Sequence, residues 1–136
     1  MPRIGLKSFL IAAVCYLTLA AISAVISHYS SASAASAFAR THFHLLGFVA
    51  MLIYGLGYSI APKLGRRPLR FPRWVPIHFW LGNVSLVAMV ISRAYGAPIG
   101  ISQSVIIFYL SVAVQVLLIL AFVVNLWLTL MSSKRS

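Results

Sequence analysis

The sequence predicts an all-α integral membrane protein with four transmembrane helices in a single membrane domain, residues 1–136. Hydrophobic residues make up 62% of the chain, and only 8% are charged, whereas a soluble domain carries about a quarter charged residues. Four apolar segments are each long enough to cross a hydrocarbon core of about 30 Å at about 1.5 Å per residue. None of them alternates polar and apolar residues as barrel strands do, so all four are predicted to be helices.

The predicted spans are TM1, residues 8–28; TM2, residues 40–61; TM3, residues 75–95; and TM4, residues 103–131. The apolar run that opens TM1 is longer than the hydrophobic region of a signal peptide, so we expect it to remain as a span. The connectors are a small, polar stretch at 30–38, a basic loop at 62–73 and a turn-rich stretch at 95–102. The three prolines of the basic loop are expected to end TM2 and to delay TM3.

The charges predict the orientation of the chain. All eleven charged residues are Lys or Arg, and the sequence contains no Asp and no Glu. Nine of them lie near the two termini or in the basic loop, whereas Arg40 and Arg93 lie on the other side of the predicted membrane. By the positive-inside rule both termini are cytoplasmic, and we expect a multi-pass protein of a bacterial-type inner (plasma) membrane. Topology and contact with the lipid bilayer explain the basic runs, so we expect no nucleic-acid partner.

Two histidines near the outer end of TM2, His42 and His44, are candidate metal ligands. On an ideal helix they lie about 200° apart, so they cannot bind one metal ion together and would serve two sites. The chain has no carboxylate side chain and a single cysteine, Cys15, so a conventional metal cage would lack ligands. A porphyrin supplies four nitrogens and needs only one or two axial ligands. The pattern favours heme b, held without covalent bonds because no Cys-x-x-Cys-His motif is present.

Two arginines on the outer side, Arg40 and Arg93, have no acidic side chain available as a partner. Heme propionates would supply a bidentate anion to each guanidinium. The alternative is that each arginine extends to a lipid headgroup. We therefore treat both as candidate cofactor-binding residues.

Other residues near the histidine pair have two interpretations. TM2 contains three glycines that would admit either a porphyrin or a neighbouring helix: Gly47, Gly55 and Gly57. His28 shares the outer side and is a reserve ligand, whereas His78 lies a membrane thickness away from the pair.

Two stretches of the sequence resemble the catalytic subunit of heme-copper oxidases, the family that includes cytochrome c oxidases and nitric oxide reductases. They are "THFHLLGFVAMLIYGLGYSIAPKLGRRPL" and "PIHFWLGNVSLVAM". The likeness is to the tenth and eleventh helices of that subunit: His-Phe-His opens a Gly-rich helix, Pro ends it, and Ile-His-Phe opens the next. About 50 of the 136 residues carry the pattern, and the chain looks like one four-helix arc, a third of that subunit.

The resemblance implies roles for the two histidines. His42 matches the ligand of the gas-reactive heme and His44 matches a ligand of the low-spin heme, while His78 matches a histidine that binds no metal. The copper-binding helices and the carboxylates of the proton channels have no counterpart here. Oxygen reduction with proton pumping is therefore not assigned to this chain alone, and whether it is an enzyme stays open.

Symmetry suggests how one arc would complete a site. The twelve-helix subunit is similar to three arcs around a pseudo-threefold axis, so a homotrimer of this chain would rebuild the ring. His42 of one subunit and His44 of the next would then share one heme, which gives three hemes per trimer. Bis-histidine ligation favours an electron-transfer or redox role with a redox partner that the sequence does not name.

Three alternatives remain at this stage. If His42 alone binds, a five-coordinate heme would bind nitric oxide or oxygen. The chain would otherwise be a cofactor-free structural or assembly subunit of a respiratory oxidase. A small transporter or channel is disfavoured because the spans hold few polar residues, mainly Asn83, Ser111, Gln115 and Asn125.

Overall fold

A computed structural model describes residues 4–29, 33–94 and 100–131, and the described chain is helical. Its elements are α1 (Leu6–Tyr29), α2 (Ser33–His42), a π-helical segment (Phe43–Val49), α3 (Ala50–Leu64), α4 (Trp74–Ala94) and α5 (Ile101–Met131). Because α2, the π segment and α3 follow one another without a break, they form one rod, which we call the second rod. The described residues thus include four helices long and apolar enough to cross a membrane, as the sequence predicted.

The second rod begins earlier than the predicted span. TM2 was expected from Arg40, but the helix starts at Ser33. The residues between them are small and uncharged, and alanine, the best helix former, is the commonest among them. The other spans agree with the prediction to within about two residues at each end, apart from the predicted end of TM3 at Tyr95, which lies outside the described residues.

The helices pack mainly as two pairs. Helix α1 lies against the second rod, and α4 lies against α5. The second rod joins the pairs, since α2 contacts α4 and α3 contacts α5. The core between them is rich in aromatic side chains, including Phe9, Tyr54, Tyr58 and Phe122.

Glycines in the second rod let aromatic rings approach its backbone. A Cβ atom added to Gly47 would overlap the Tyr16 side chain, and one added to Gly55 would lie 2.7 Å from the Cβ of Phe9. Gly57 similarly faces Phe122 of α5. All three positions are therefore filled by rings of the same chain, which favours helix packing over a porphyrin notch at these glycines.

Buried polar side chains connect the helices. The Tyr16 hydroxyl of α1 donates to Asn83 Oδ1 of α4 at 2.8 Å. Gln115 Nε2 of α5 donates to the Gly82 carbonyl at 2.9 Å and contacts Ser85 Oγ at 3.0 Å. Asparagine and glutamine side chains of the spans are thus engaged in bonds between helices, as membrane bundles require. This leaves them poorly suited to line a transport pathway.

Candidate functional site

The packing of α1 against the second rod gives the depth of the histidine pair. Gly47 meets Tyr16 and Gly55 meets Phe9, so the antiparallel register places His42 level with residues 21–22. That level lies about 10–12 Å along α1 from its last residue, Tyr29. His42 therefore lies alongside apolar residues of α1, well before the described end of that helix. Ionisable residues at such depth are rare and mark functional sites by default.

His42 is held in one orientation by its own helix. Its ring stacks on Phe38 with centroids 3.8 Å apart and planes at 25°. Its Nδ1 lies 2.9 Å from the Phe38 carbonyl oxygen, so Nδ1–H donates to that oxygen. This bond fixes the neutral tautomer whose Nε2 keeps its lone pair, the form in which imidazole binds a metal. Phe38 is in turn backed by Phe108 of α5, at 6.0 Å between ring centroids.

His44 has a different environment two residues later. Its side chain is exposed, and its ring touches the edge of Phe48 at 5.6 Å between centroids. Within the described residues we find no hydrogen-bond partner for its ring nitrogens.

The π-helical segment begins between the two histidines, and nothing in the sequence predicted it. His42 is the last residue of α2, and His44 is the second residue of Phe43–Val49. A π turn closes its hydrogen bonds between residues five apart and holds one more residue than an α turn, so the ideal angle between the side chains does not apply. Burial nevertheless separates them, since His42 is half-buried and His44 exposed. Short π segments within α-helices often mark functional sites.

Arg40 and Arg93 lie on the surface, near the end of the bundle that carries His42 and His44. Arg40 and Arg93 are both exposed. Arg93 lines a cavity of about 510 Å³ between α4 and α5, together with Ser104, Phe108 and Tyr109. Because Phe108 also touches Phe38, this cavity lies near the support of His42. An anion entering it would meet the Arg93 guanidinium in a largely apolar setting.

The remaining histidines do not join this pair. His28 is exposed near the end of α1, where its ring meets Tyr29 edge-on. By the register above, it lies about 10 Å from His42 along the bundle. His78 is fully buried and contacts Phe9, which places it about 20 Å from the pair towards the opposite end. His78 is thus separated from the outer histidines, as predicted, but by about 20 Å and not by a full membrane thickness of about 30 Å.

His78 forms a second polar centre that the sequence analysis did not anticipate. Its Nδ1 lies 2.7 Å from the Tyr58 hydroxyl. Its Nε2 is buried and has no hydrogen-bond partner among the described residues. Tyr54 packs against the imidazole at 4.2 Å between ring centroids, and Phe122 closes the same pocket at 6.1 Å. No sequence pattern identifies this pairing, because Tyr58 and His78 lie in different helices.

The described residues contain no group of three or more His, Cys, Asp or Glu side chains that could hold a metal ion. One chain thus offers isolated imidazoles. A site for a metal ion without a porphyrin needs several protein ligands, whereas a porphyrin iron needs only one or two. No protein family, curated protein or solved structure matches this chain in the comparisons.

Proposed function

We propose that this chain is a heme-b-binding membrane protein with an electron-transfer or redox role, in which hemes with two histidine ligands are shared between the subunits of a homotrimer. The observation that carries the proposal is the contrast between two imidazoles on one rod. His42 is half-buried with its Nδ1 bonded to the Phe38 carbonyl, and His44 is exposed inside the apolar span.

The exposed histidine supports the sharing of a site between subunits. A polar ring left in hydrocarbon loses its hydrogen bonds to water without replacement. A second copy that brings its His42 towards this His44 would give both imidazoles a common partner. In a closed ring, the same contact repeats at every interface, so each subunit contributes one ligand to each of two sites.

The side chains around the pair would perform separate tasks. The Phe38 carbonyl holds the His42 tautomer, and Phe38 itself limits rotation of the ring. Arg40 and Arg93 would neutralise the carboxylates of the cofactor. The heme supplies one-electron chemistry when bound. Because two histidines would hold the heme, the site would leave no open position for a substrate, which favours electron transfer over catalysis.

The resemblance to the heme-copper oxidase subunit supports the same assignment of His42 and His44. We also propose that both termini lie in the cytoplasm of a bacterial-type cell, which is the orientation that the distribution of Lys and Arg favours. Because the copper ligands have no counterpart in this sequence, we do not propose that the chain reduces oxygen. Its redox partner would be a separate molecule.

Absorption spectroscopy of the purified full-length chain, with iron counted per chain, tests this proposal. We expect a b-type Soret band and one iron per chain, with the band lost in both His42→Ala and His44→Ala. His28→Ala is the matched control, and it should keep the band because His28 lies about 10 Å away along the bundle. A protein without a Soret band, or a band that survives loss of both His42 and His44, would contradict the proposal.

A five-coordinate heme on His42 alone is the first alternative, and the fixed Nε2 of that residue favours it. In that case His44→Ala keeps the Soret band, and the wild-type protein shows a carbon monoxide difference spectrum. Shared bis-histidine ligation predicts the opposite result in both measurements.

A cofactor-free structural or assembly subunit of a respiratory oxidase is the second alternative. The rings of Tyr16, Phe9 and Phe122 that fill the glycine positions favour it, because they leave the second rod without a porphyrin notch at those glycines. This alternative predicts that the protein purifies without heme and within a larger complex.

A further inference from the structure

The basic loop, taken here from Lys63 in the last turn of α3 to Arg73 just before α4, concentrates positive charge at one end of the bundle. Its five cations within eleven residues are Lys63, Arg66, Arg67, Arg70 and Arg73. The sequence has no Asp or Glu to neutralise them. Mutual repulsion of such closely spaced charges favours binding of anions from outside the chain.

Hydrogen bonds from α5 hold this loop in place. The backbone N–H of Arg70 donates to Thr129 Oγ1 at 3.0 Å. The Asn125 side chain bonds both backbone groups of Phe71, accepting from its N–H at 3.1 Å and donating to its carbonyl at 3.2 Å. Asn125 and Thr129 are each only 1% exposed. A loop fixed by buried partners loses little conformational entropy on binding a ligand, which strengthens binding.

The fixed loop encloses a cavity of mixed character. The cavity measures about 390 Å³ and is lined by Arg67, Pro68, Leu69, Arg70, Leu128 and Thr129. Arg67 is half-buried, and its Nε donates to the Gly65 carbonyl at 3.2 Å, which leaves its two terminal NH₂ groups for another acceptor. The cavity therefore combines guanidinium groups with leucine and proline side chains.

Exposed apolar side chains border the same end of the bundle. Leu64 is 71% exposed and Phe71 is 48% exposed. A hydrated inorganic anion bound here would leave these apolar side chains exposed to water, whereas the acyl chains of a lipid would cover them. A ligand that carries a phosphate and hydrocarbon chains satisfies both parts of the surface.

We propose that the basic loop and the adjoining last turns of α5 form a binding site for the headgroup of an anionic phospholipid, with Arg67 and Arg70 as the phosphate-binding residues. The site lies at the opposite end of the bundle from His42 and His44 and is independent of the proposed heme. The hydrogen bonds from Asn125 and Thr129 act as positioning contacts that hold the guanidinium groups around the cavity.

Native mass spectrometry of the full-length protein in detergent tests the site with equimolar phosphatidylglycerol and phosphatidylcholine. We expect a preference for bound phosphatidylglycerol that falls about fivefold in Arg67→Gln or Arg70→Gln. Lys7→Gln is the matched control, since it removes one exposed positive charge from α1 and should leave the preference unchanged. An equal loss in all three variants would show a response to total charge and overturn the site.

Thr129→Val separates a positioned site from charge alone. This variant keeps all five cations and the side-chain volume but removes the bond to the Arg70 N–H, and we expect the preference to fall about threefold. An unchanged preference in Thr129→Val would overturn the proposal of a positioned site. Displacement of phosphatidylglycerol by inorganic phosphate at matched ionic strength would overturn the choice of a lipid, and retention of the lipid would support it.

Discussion

His42, His44 and His78 show how neighbours determine the chemistry of one residue type. A backbone carbonyl fixes His42, a tyrosine hydroxyl contacts His78, and among the described residues only the edge of Phe48 meets the ring of His44. An imidazole with one nitrogen bonded and the other free can bind a metal when the free nitrogen is accessible. His42 is half-buried, whereas His78 is enclosed by aromatic rings. Of these three histidines, only His42 and His44 are therefore candidates for metal binding.

The Tyr58–His78 pair should couple energetically. Tyr58→Phe leaves both ring nitrogens of His78 without partners among the described residues. His78→Phe removes the imidazole from the Tyr58 hydroxyl, which keeps an interaction with the Asn125 side chain. Each single variant should lose about 1–3 kcal/mol of stability, with the smaller loss in His78→Phe. The double variant removes both polar groups and should lose less than the sum of the two. Thermal unfolding in detergent, analysed as a double-mutant cycle, measures the coupling, and strictly additive losses would contradict it.

Sequence analysis found the candidate ligands but not what surrounds them. His42 and His44 stand out because ionisable residues are rare in apolar segments. The bond between His42 and Phe38 links residues four apart, so helical spacing would have indicated it had the helix been predicted to start before Arg40. The contact of Tyr58 with His78 depends on how two helices pack, which one sequence does not specify.

At the scale of elements, the π segment is the largest departure from the regular helices that the sequence predicted. The segment Phe43–Val49 lies between α2 and α3, and both flanks pack against α1. Since each π turn holds one more residue than an α turn, the segment accommodates extra chain length without rotating either flank away from its contacts. The segment also determines the direction in which the His44 side chain projects from the helix axis.

Removal of one residue should therefore be tolerated in the π segment and not in α3. Deletion of Leu45 would convert the segment towards an α-helix and keep both flanks in register. Deletion of Ile53 would rotate one side of a regular helix by about 100° and break its packing. The two residues are matched in exposure, at 56% for Leu45 and 52% for Ile53. Thermal unfolding in detergent compares them, and equal destabilisation would contradict this account.

The early start of the second rod also belongs to this scale. Residues 33–38 are serines, alanines and one phenylalanine, a composition that is too polar for the centre of a span and resembles a connector. Helix propensity alone does not decide whether these residues form a helix or a loop. The contacts of α2 with α1 and α4 favour the helix. The number of spans could thus be predicted from hydropathy, whereas this boundary depended on packing.

At the scale of the whole molecule, the helices form two antiparallel pairs joined by the basic loop. Aromatic contacts and the Tyr16–Asn83 bond connect the pairs across the core. Large apolar side chains cover much of the remaining surface, as expected for a surface in contact with lipid. The assembly of this bundle with further copies is part of the proposed function.

Chemical labelling should report both orientation and depth. In a Cys15→Ala background, a membrane-impermeant maleimide added to intact cells should label Ala34→Cys, and it should label Arg66→Cys only after permeabilisation. Thr41→Cys should resist labelling although Ala34 and Thr41 are both exposed on the same helix, because Thr41 lies about 10 Å deeper. Equal labelling of these two positions from outside would contradict the placement of the histidines within the apolar span.

The pairing of α1 with the second rod has a consequence for biogenesis. Both members of this pair precede α4 and α5 in the chain, so during synthesis they leave the ribosome first. Phe38, Gly47 and Tyr16, which position the region of His42, all lie in this first hairpin. Contacts between segments close in sequence form early, and the later hairpin then closes over a nearly finished scaffold. A nascent chain of about half the final length would already contain the Phe38–His42 contacts, whereas the contact of Phe38 with Phe108 and the bond of Tyr16 to Asn83 form only when the later hairpin packs.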